Sequence, residues 1–480
     1  MKALYSYQQE GKDMVYALLR DGVKKIIFRL QTGGGKSVVF TDLISEFKSA
    51  GLPVVLVMRR RKLITQASKH LSEAGISHGV YMAKHRLFRP QELVQVCSID
   101  TLQSRGIYPH EGNDNAIIIC DESQDMVPKS TKYFRLNQKY INNILIGFTA
   151  TPFTDNSFFE AIVEPISAAD LRDTGFLVPE ITYVPSQIDV SGVKKLGGDY
   201  NEAQLFLASS KPKIIGDFVR DWKLYAQGRP TLLYGVNIEH SKMIMDAFRA
   251  EKINALHCDA NTPDLEREDA IHQLKTGRIQ ILCNVNIFSV GVDIPEVSCI
   301  QVCRPTLSVV WHLQAIGRGL RTCPGIGKKD CIVIDNAGNT LRHGPVYFPR
   351  IAKLIKEKEK KPDGQDFNIK RCKQCGYIML SHVTTCPICG FTNPVVPRNK
   401  NLKPQEGDLY RYEMSEAELE AMKRRSIALH YEKLCFIKKN KLRYAKDDWI
   451  YDNLAKKFAI PDLIKYGNEI NLPEGYKWKT

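Results

Sequence analysis

No run among the 480 residues approaches the ~18–20 consecutive apolar side chains of a membrane helix, so no spanning segment is expected. The N-terminal "MKALYSYQQEGKD" has no apolar stretch behind its lysine, which argues against a secretory signal. Acidic residues are in deficit, with 53 Asp+Glu against 68 Lys+Arg and a formal net charge of +15. Simple solubility accounts for such a balance. A polyanionic partner accounts for it equally well, because clustered Lys and Arg displace counterions from phosphates. The 13 cysteines are odd in number and mostly lie singly on apolar segments. That pattern disfavours a disulfide framework and fits reduced thiols in a cytosol. No repeat of short period, no nuclease constellation and no large methyltransferase-like or target-recognition domain is evident.

What is present is ordinary in bulk and specific in detail. Apolar content of 43% and charged content of 25% suit a soluble globular protein, and the length suggests several folding units. Up to residue 150, short branched apolar runs alternate with helix-like patterns: "KKIIFRL", "PVVLVMR", "LVQVCSI", "AIIIC" and "ILIGFT". Such runs are expected of strands buried in a parallel sheet. The rhythm restarts at 229 with "PTLLYGV", "NALHCD", "IQILCNV", "SCIQVCRP" and "CIVIDN". Two α/β lobes in series follow, over 1–165 and 229–348, with 166–228 as connection or insertion. Residues 349–370 read as a basic linker, 371–395 as a cysteine-rich module, and 396–480 as a region of short amphipathic helices. Residues 350–400 carry 11 Lys+Arg against 4 Asp+Glu, nearly half of the whole excess.

"LQTGGGKSVVF" lies between the first strand-like run and a helix-like one. Gly33, Gly34 and Gly35 leave no Cβ between backbone N–H groups and an anion, with Thr32 beside them. Lys36 reaches β and γ phosphates, Ser37 holds Mg²⁺, and the helix start adds its positive dipole end. The general P-loop places a first glycine where this chain has Leu30. Downstream, "AIIICDESQ" ends a buried-type strand on two carboxylates. Asp121 is placed to hold the metal through water, and Glu122 to orient and deprotonate an attacking water. The bland readings are a glycine-rich turn and a solvated acidic pair; strand, loop and helix in that order favour ATP and Mg²⁺.

These and the later motifs resemble superfamily 2 helicases of the small stand-alone kind found in bacteria and their phages, from residue 4 to residue 345. The resemblance implies two tandem RecA-like parallel-sheet lobes and ATP hydrolysis coupled to movement on a nucleic-acid strand. "LYSYQ" is similar to the adenine-reading motif, with Gln8 on the base and Tyr5 where arginine is common. "VMRRRKLITQ" and "SIDTLQSR" resemble motifs Ia and Ib, which implies backbone contacts from Arg60, Gln66 and Thr101. "DESQ" stands in place of the DEAD or DEAH box, with Gln124 coupling the ATP site to movement. "GFTATP" resembles motif III, implying a linking role for Thr149 and Thr151. "LLYGVNIEHS" resembles motif IV, and "HCDANTPDLERE" the loop that contacts the strand, through Thr262. "NVNIFSVGVDIP" resembles motif V, with Gly291 and Asp293 at the nucleotide cleft. "QAIGRGLR" resembles motif VI, with Gln314 facing ATP and Arg318 and Arg321 as arginine fingers. A guanidinium on the transferring phosphoryl group is worth about 10³–10⁵ in rate. Taken without the family, the i, i+3 spacing of those arginines also suits a solvated helix face.

"CKQCGYIMLSHVTTCPICG" holds Cys372, Cys375, Cys386 and Cys389 as two C-x₂-C pairs, each pair trailed by a glycine. Four thiolates suit a closed tetrahedral Zn²⁺ site, and the module resembles a zinc ribbon. An Fe–S cluster and a pair of disulfides are the alternatives; His382 reads as a surface residue. The expected partner is single-stranded, forked or branched DNA, with RNA as the alternative, and no membrane is expected. Replication or recombination proteins are further candidate partners of a chain expected to be a monomer on its own. The expected location is the cytoplasm of a bacterial or phage-infected cell. Three readings stay open: an unwinding or remodelling motor, a nucleotide-gated zinc-ribbon binding protein, and the motor subunit of a larger DNA-processing complex.

Overall fold

The computed structural model describes residues 3–127, 130–154, 156–184, 188–289, 292–348 and 350. Beyond these it describes 354, 369–371, 378–380, 384–385, 391–392, 410–412, 427, 431, 448–455 and 460–465. Two units are distinguished: Met1–Asp170 with Pro349–Lys361 and Leu419–Thr480, and Leu171–Phe348 with Pro362–Glu418. Among the described residues no helix is long and apolar enough to cross a membrane.

The first unit is a parallel sheet of seven strands. In chain order they are β1 (Lys25–Arg29), β2 (Val54–Met58), β3 (Gly79–Tyr81), β4 (Val94–Ser98), β5 (Ile117–Asp121), β6 (Ile144–Thr149) and β7 (Ala161–Val163). Their spatial order is β3-β4-β2-β5-β6-β1-β7. The central strands are Val- and Ile-rich and buried along their length, as helices on both faces require. Helices α1 (Ser6–Arg20), α2 (Lys36–Ser49), α3 (Arg61–Glu73), α4 (Ile99–Arg105) and α5 (Thr131–Lys139) supply those layers. Register matters more than order here. Arg29 lies opposite Thr149 and Asp121 opposite Phe148, so β1, β6 and β5 end level with one another. Loops at the carboxyl ends of such strands are where an open α/β sheet binds its ligand. Gly147 keeps β6 tight: a Cβ there would sit 2.7 Å from both the Phe159 ring and Ser123 Cβ.

A buried cation joins α1 to α2. Lys12 Nζ donates to Asp42 Oδ2 at 2.5 Å and to Glu46 Oε1 at 2.8 Å, and Tyr16 adds a hydrogen bond to Glu46 Oε2 at 2.6 Å. Burial opposes the Lys12 charge, but these partners hold its pKa above the ordinary lysine value. Truncating Asp42 would remove one of the partners that offset the cost of burying the Lys12 charge.

The second unit carries a nine-stranded sheet. Its parallel part contains β8 (Glu180–Val184), β11 (Thr231–Tyr234), β12 (Ala255–Cys258), β13 (Ile281–Asn284), β14 (Cys299–Val302) and β15 (Cys331–Asp335). A separate hairpin is made by β9 (Lys195–Leu196) and β10 (Asp199–Tyr200). The sheet order is β12-β13-β11-β14-β15-β8, continued by β18 (Tyr410–Tyr412), β17 (Ile378–Leu380) and β16 (Ile369–Arg371). β18 runs antiparallel to β8. Segment 166–228, expected as connection or insertion, therefore supplies a strand of this sheet. It also supplies α8 (Pro212–Tyr225), whose Phe218 and Trp222 enter the core with Leu233, Ile244 and Phe248. Trp222 Nε1 donates to Thr231 Oγ1 at 2.7 Å, satisfying the polar end of a fully buried ring. A polar chain holds the same part of α8: Gln301 Nε2 donates to Asn336 Oδ1 at 2.9 Å, and Asn336 Nδ2 to Asp221 Oδ2 at 2.7 Å. Burial pushes the Asp221 carboxyl up to about 6, against the pull of Arg220 and Asn336.

Remaining helices of this unit are α9 (Ile238–Ala250), α10 (Asp264–Lys275), α11 (Val309–Gly317) and α12 (Asn339–His343), with α6 (Ala168–Asp173) and α7 (Glu202–Ser209) before α8. Among the described residues eight cysteines are free, seven of them buried. Burial raises the thiol pKa of those in the sheets, such as Cys97, Cys120, Cys283 and Cys299, which keeps them protonated and inert.

Candidate functional site

At the end of β1 the chain turns through Leu30–Gly35 into α2. Gly33 and Gly35 take φ of +89° and +85°, the left-handed region, and Gly35 is the N-cap of α2. At Gly35 a Cβ would also lie 2.3 Å from Gln8 Nε2. Gly34 N–H donates to Gln31 O at 2.9 Å and closes the turn. Lys36 Nζ donates to Leu30 O at 3.1 Å, so the ammonium lies across the loop it follows. Thr32 is buried, and Ser37 is half-buried on the first turn of α2. Gln31 Nε2 is buried with no hydrogen-bond partner among the described residues, a donor within the loop that an anion would satisfy. This loop geometry, with a helix N-terminus behind it, fits a polyphosphate.

The N-terminus of α1 rests on the same loop. Gln8 is 1% exposed; its Nε2 donates to Gly34 O at 3.1 Å and its Oε1 accepts from Tyr5 N at 3.0 Å. Tyr7 OH donates to Gly34 O at 2.9 Å. The rings of Tyr5 and Tyr7 stack at 5.9 Å, and Tyr5 keeps an exposed face. Sequence reasoning placed Gln8 here but missed Tyr7, whose hydroxyl is indistinguishable in the sequence from one on an ordinary amphipathic helix.

Across β6, the strand β5 delivers Asp121 and Glu122. Asp121 Oδ1 accepts from Glu122 N at 3.0 Å. Glu122 itself adopts φ 53°, ψ 49°, a left-handed conformation that a non-glycine residue holds at a cost of about 1–3 kcal/mol. The turn aims Glu122 at Gln124. Gln124 Nε2 donates to Glu122 Oε2 at 2.8 Å, and Gln124 Oε1 accepts from Thr149 Oγ1 at 2.6 Å. Thr149 Oγ1 in turn accepts from Thr151 N at 2.9 Å. One unbroken chain of hydrogen bonds thus runs from the second carboxylate to Thr149 at the end of β6 and Thr151 just beyond it. Thr149 and Thr151 are fully buried.

Other predicted positions of the first unit are dispersed. Arg60 is the exposed N-cap of α3 and interacts electrostatically with Glu122 and Asp125. Gln66 is half-buried on α3. Thr101, read as a phosphate contact, is 7% exposed, and its N–H donates to Ser98 Oγ at 3.4 Å in the cap of α4.

In the second unit, Gln314 is buried on α11, and Arg318 caps that helix. Arg318 is 7% exposed; its Nε donates to Ser289 O at 2.9 Å and its Nη1 to Val292 O at 3.0 Å. Arg321 Nη1 donates to Val292 O at 3.1 Å and pairs with the exposed carboxylate of Asp293. Both arginines thus grip the loop that carries Asp293. Gly291 lies outside the described residues. Thr262 Oγ1 accepts from Asp259 N at 2.9 Å, and Arg267 Nη2 donates to Thr262 O at 2.8 Å, so that loop is built by its own side chains. Cys372, Cys375, Cys386 and Cys389 lie outside the described residues, as does His382. Among the described residues no group of His, Cys, Asp and Glu is arranged to hold a metal.

Comparison with known proteins follows the same division. Residues 1–154 match the family described as type III restriction enzyme, res subunit, and residues 210–323 match the helicase conserved C-terminal domain. The chain is 27% identical over 404 residues to a 51.5 kDa protein of a Lactococcus phage, covering 83% of this chain and 82% of that one. It is 29% identical over 357 residues to IRC3 of Saccharomyces cerevisiae, which carries an ATP-dependent helicase designation; 70% of this chain and 51% of the yeast protein are covered. It therefore spans about half the length of that relative. Similarity to the DNA 3′-5′ translocase XPB2 of Sulfurisphaera tokodaii is 25% over 359 residues, covering 66% of this chain and 78% of the other. Among solved structures, a fragment assigned to an HsdR subunit of a type I restriction enzyme from Vibrio vulnificus shares the fold. There the TM-score is 0.56 and identity 17%, over 72% of this chain and 66% of that one.

Proposed function

We propose that this chain, a superfamily 2 helicase and so an ATP-dependent nucleic-acid motor, acts on DNA and unwinds or remodels forked or branched duplexes. The observation that carries the reading is the hydrogen-bonded chain Glu122–Gln124–Thr149–Thr151 beside a phosphate-type loop. A general base tied rigidly to a strand-end loop makes hydrolysis sensitive to whatever displaces that loop. In this reading Thr32, Gly33, Gly34, Gly35 and Lys36 hold the polyphosphate. Ser37 and Asp121 would hold Mg²⁺, which draws charge from the phosphoryl oxygens. Gln8 reads the adenine edge and the exposed ring of Tyr5 stacks on it. Gln314, Gly291 and Asp293 complete the nucleotide cleft, and Arg321 is the finger while Arg318 braces its loop. Arg60, Gln66, Thr101 and Thr262 serve the strand; for the buried Thr101 that service is through the backbone turn it belongs to. The net charge of +15 favours a polyphosphate partner, and the similarity to a DNA translocase favours DNA over RNA.

Steady-state ATP hydrolysis tests this, with single-stranded DNA, forked duplex and RNA compared. We expect strong stimulation by a DNA form, and Lys36→Ala to lower the stimulated rate by about 10²–10³ through loss of one phosphate-clamping donor. Equal, slow hydrolysis under every condition, no faster than Lys36→Ala, overturns the motor reading. The match of residues 1–154 to a restriction-enzyme subunit favours, as second reading, the motor of a larger DNA-processing complex. That reading predicts ATPase stimulation with little strand separation until a partner is added.

Zinc belongs to the same proposal. Antiparallel β16 and β17 flank Cys372 and Cys375, and the antiparallel bridge of Thr385 with Thr392 flanks Cys386 and Cys389. In the sequence each C-x₂-C pair lies between two segments that are antiparallel partners, and four thiolates suit a structural Zn²⁺. Elemental analysis of the purified chain is expected to find about one zinc per chain. Cys372→Ser with Cys375→Ser is expected to lose it; unchanged metal content in that variant, or iron in its place, sinks the assignment.

A further inference from the structure

Asp199 opens β10 and stands outside every motif read in the sequence. Its carboxylate is nevertheless a meeting point. Oδ1 accepts from Leu307 N at 2.7 Å and from Tyr200 N at 3.0 Å. Oδ2 accepts from Thr306 Oγ1 at 2.7 Å and pairs with Arg304 Nη2 at 3.3 Å. The side chains of Asp199 and Arg304 are only 25% and 17% exposed, so this pair is not an open surface contact. The Arg342 guanidinium steadies the same place. It lies 5.5 Å from the Tyr200 ring centroid, and its Nη1 donates to Thr306 O at 3.1 Å.

Two paths lead from Asp199 to the arginines beyond α11. One passes through the start of the helix. Thr306 and Leu307 stand just before the α11 N-cap Ser308, whose N–H donates to Thr306 Oγ1 at 3.0 Å, and Arg318 is the C-cap of that helix. The other passes through Arg304. Its Nη1 donates to Asn286 Oδ1 at 2.6 Å, Trp311 Nε1 donates to the same oxygen at 2.7 Å, and the guanidinium lies 5.3 Å from the Trp311 ring centroid. Asn286 takes φ +57°, a left-handed conformation that persists only where its surroundings hold it. Its carbonyl accepts from Ser289 Oγ at 2.7 Å. Ser289 and Val292 of that loop are the acceptors of Arg318 and Arg321. Asp199 therefore anchors both the helix that leads to the arginines and the loop that they grip.

A carboxylate repels a triphosphate, so the contribution of Asp199 to hydrolysis is made through the cations it places. Placement matters steeply, because a shift of about 1 Å caused far from the reacting atoms costs about 10²-fold in rate. We propose that Asp199 is a positioning residue for ATP hydrolysis, which sets α11 against the loop at Asn286 and thereby the placement of Arg321. This rests on the reading of Arg321 as the arginine finger.

The test is a cycle of variants of the full chain: Asp199→Asn, Arg321→Ala and the two together, with kcat and KM for ATP measured in the presence of single-stranded DNA. Asp199→Asn keeps an oxygen for the N–H groups of Leu307 and Tyr200 and gives up the charge that faces Arg304. It is expected to lower kcat by about 10²-fold with KM for ATP level. In the Arg321→Ala background the same substitution is expected to cost less than about twofold more, since two residues that act as a unit do not add. A substitution that only removed folded protein would take the same fraction in both backgrounds. Arg304→Lys repeats the cycle from the other partner. It keeps a cation but loses the fork that reaches Asp199 and Asn286 together, and the same pattern is expected. Wild-type kcat in Asp199→Asn overturns the proposal, as does an equal fold-loss in both backgrounds or a raised KM with kcat intact. Failure of the finger reading is seen separately, as wild-type turnover in Arg321→Ala alone.

Discussion

Arg321→Ala should fold normally and lose about 10³–10⁵ of DNA-stimulated ATP turnover, the contribution of a guanidinium to the charge spread over a transferring phosphoryl group. The structural side of this expectation is modest. Arg321 makes one hydrogen bond to Val292 O and one pair with Asp293, whose side chain is 65% exposed. An ion pair that open to water is worth about 0–1 kcal/mol, so thermal stability should move little. Arg318→Ala is the contrast. Arg318 is buried, and its two hydrogen bonds satisfy the carbonyls of Ser289 and Val292. Charged hydrogen bonds contribute about 1.5–3 kcal/mol each, and their loss strands buried acceptors. That variant should lose both stability and turnover. A melting curve beside the ATPase assay separates the two arginines. Arg321→Ala with wild-type turnover would remove it from the reaction.

Glu122→Gln should bind ATP as well as the parent and turn it over about 10²–10⁴ times more slowly, the usual value of a positioned general base. The substitution is clean because a glutamine at 122 keeps an oxygen for Gln124 Nε2, now 2.8 Å from Glu122 Oε2. It also imposes no new backbone demand on a residue already at φ 53°. What disappears is the proton acceptor. Gln124→Ala makes the opposite cut: it keeps the base and opens the link to Thr149. That variant should keep more basal hydrolysis and lose its response to DNA. A Glu122→Gln protein that hydrolyses normally would place the base elsewhere.

Much of this was legible in the residues, and the exceptions share a physical cause. Strands such as β2, "VVLVM", and β5, "IIICD", are continuous branched runs because both sheet faces are covered. The three-residue strands β3 and β7 are too short to show a period. Strand β8, "EITYV", is half-buried and alternating, so it reads as connection although it completes the parallel part of the second sheet. The positions of Lys36 at the start of α2 and of Asp121 and Glu122 at the end of β5 were visible because strand, loop and helix follow one another there in the sequence. Gln124, Thr149 and Thr151 were named by resemblance, but the hydrogen bonds that join them were not visible, since they depend on the left-handed turn at Glu122 and on β6 lying beside β5. Asp199 and Arg304 stand 105 residues apart and carry no local signal that they meet.

The contact between Gln8 and the loop has an evolutionary consequence. Any side chain at position 35 must both take up φ near +85° and displace the Gln8 amide, 2.3 Å from where its Cβ would stand. Conversely, a bulkier residue at position 8 would press on a glycine that has nothing to yield. Substitutions at the two sites are therefore epistatic, and their costs will not add. A change at either site is tolerated only where the other permits it, so Gln8 and the turn at Gly35 are expected to be inherited together as one trait.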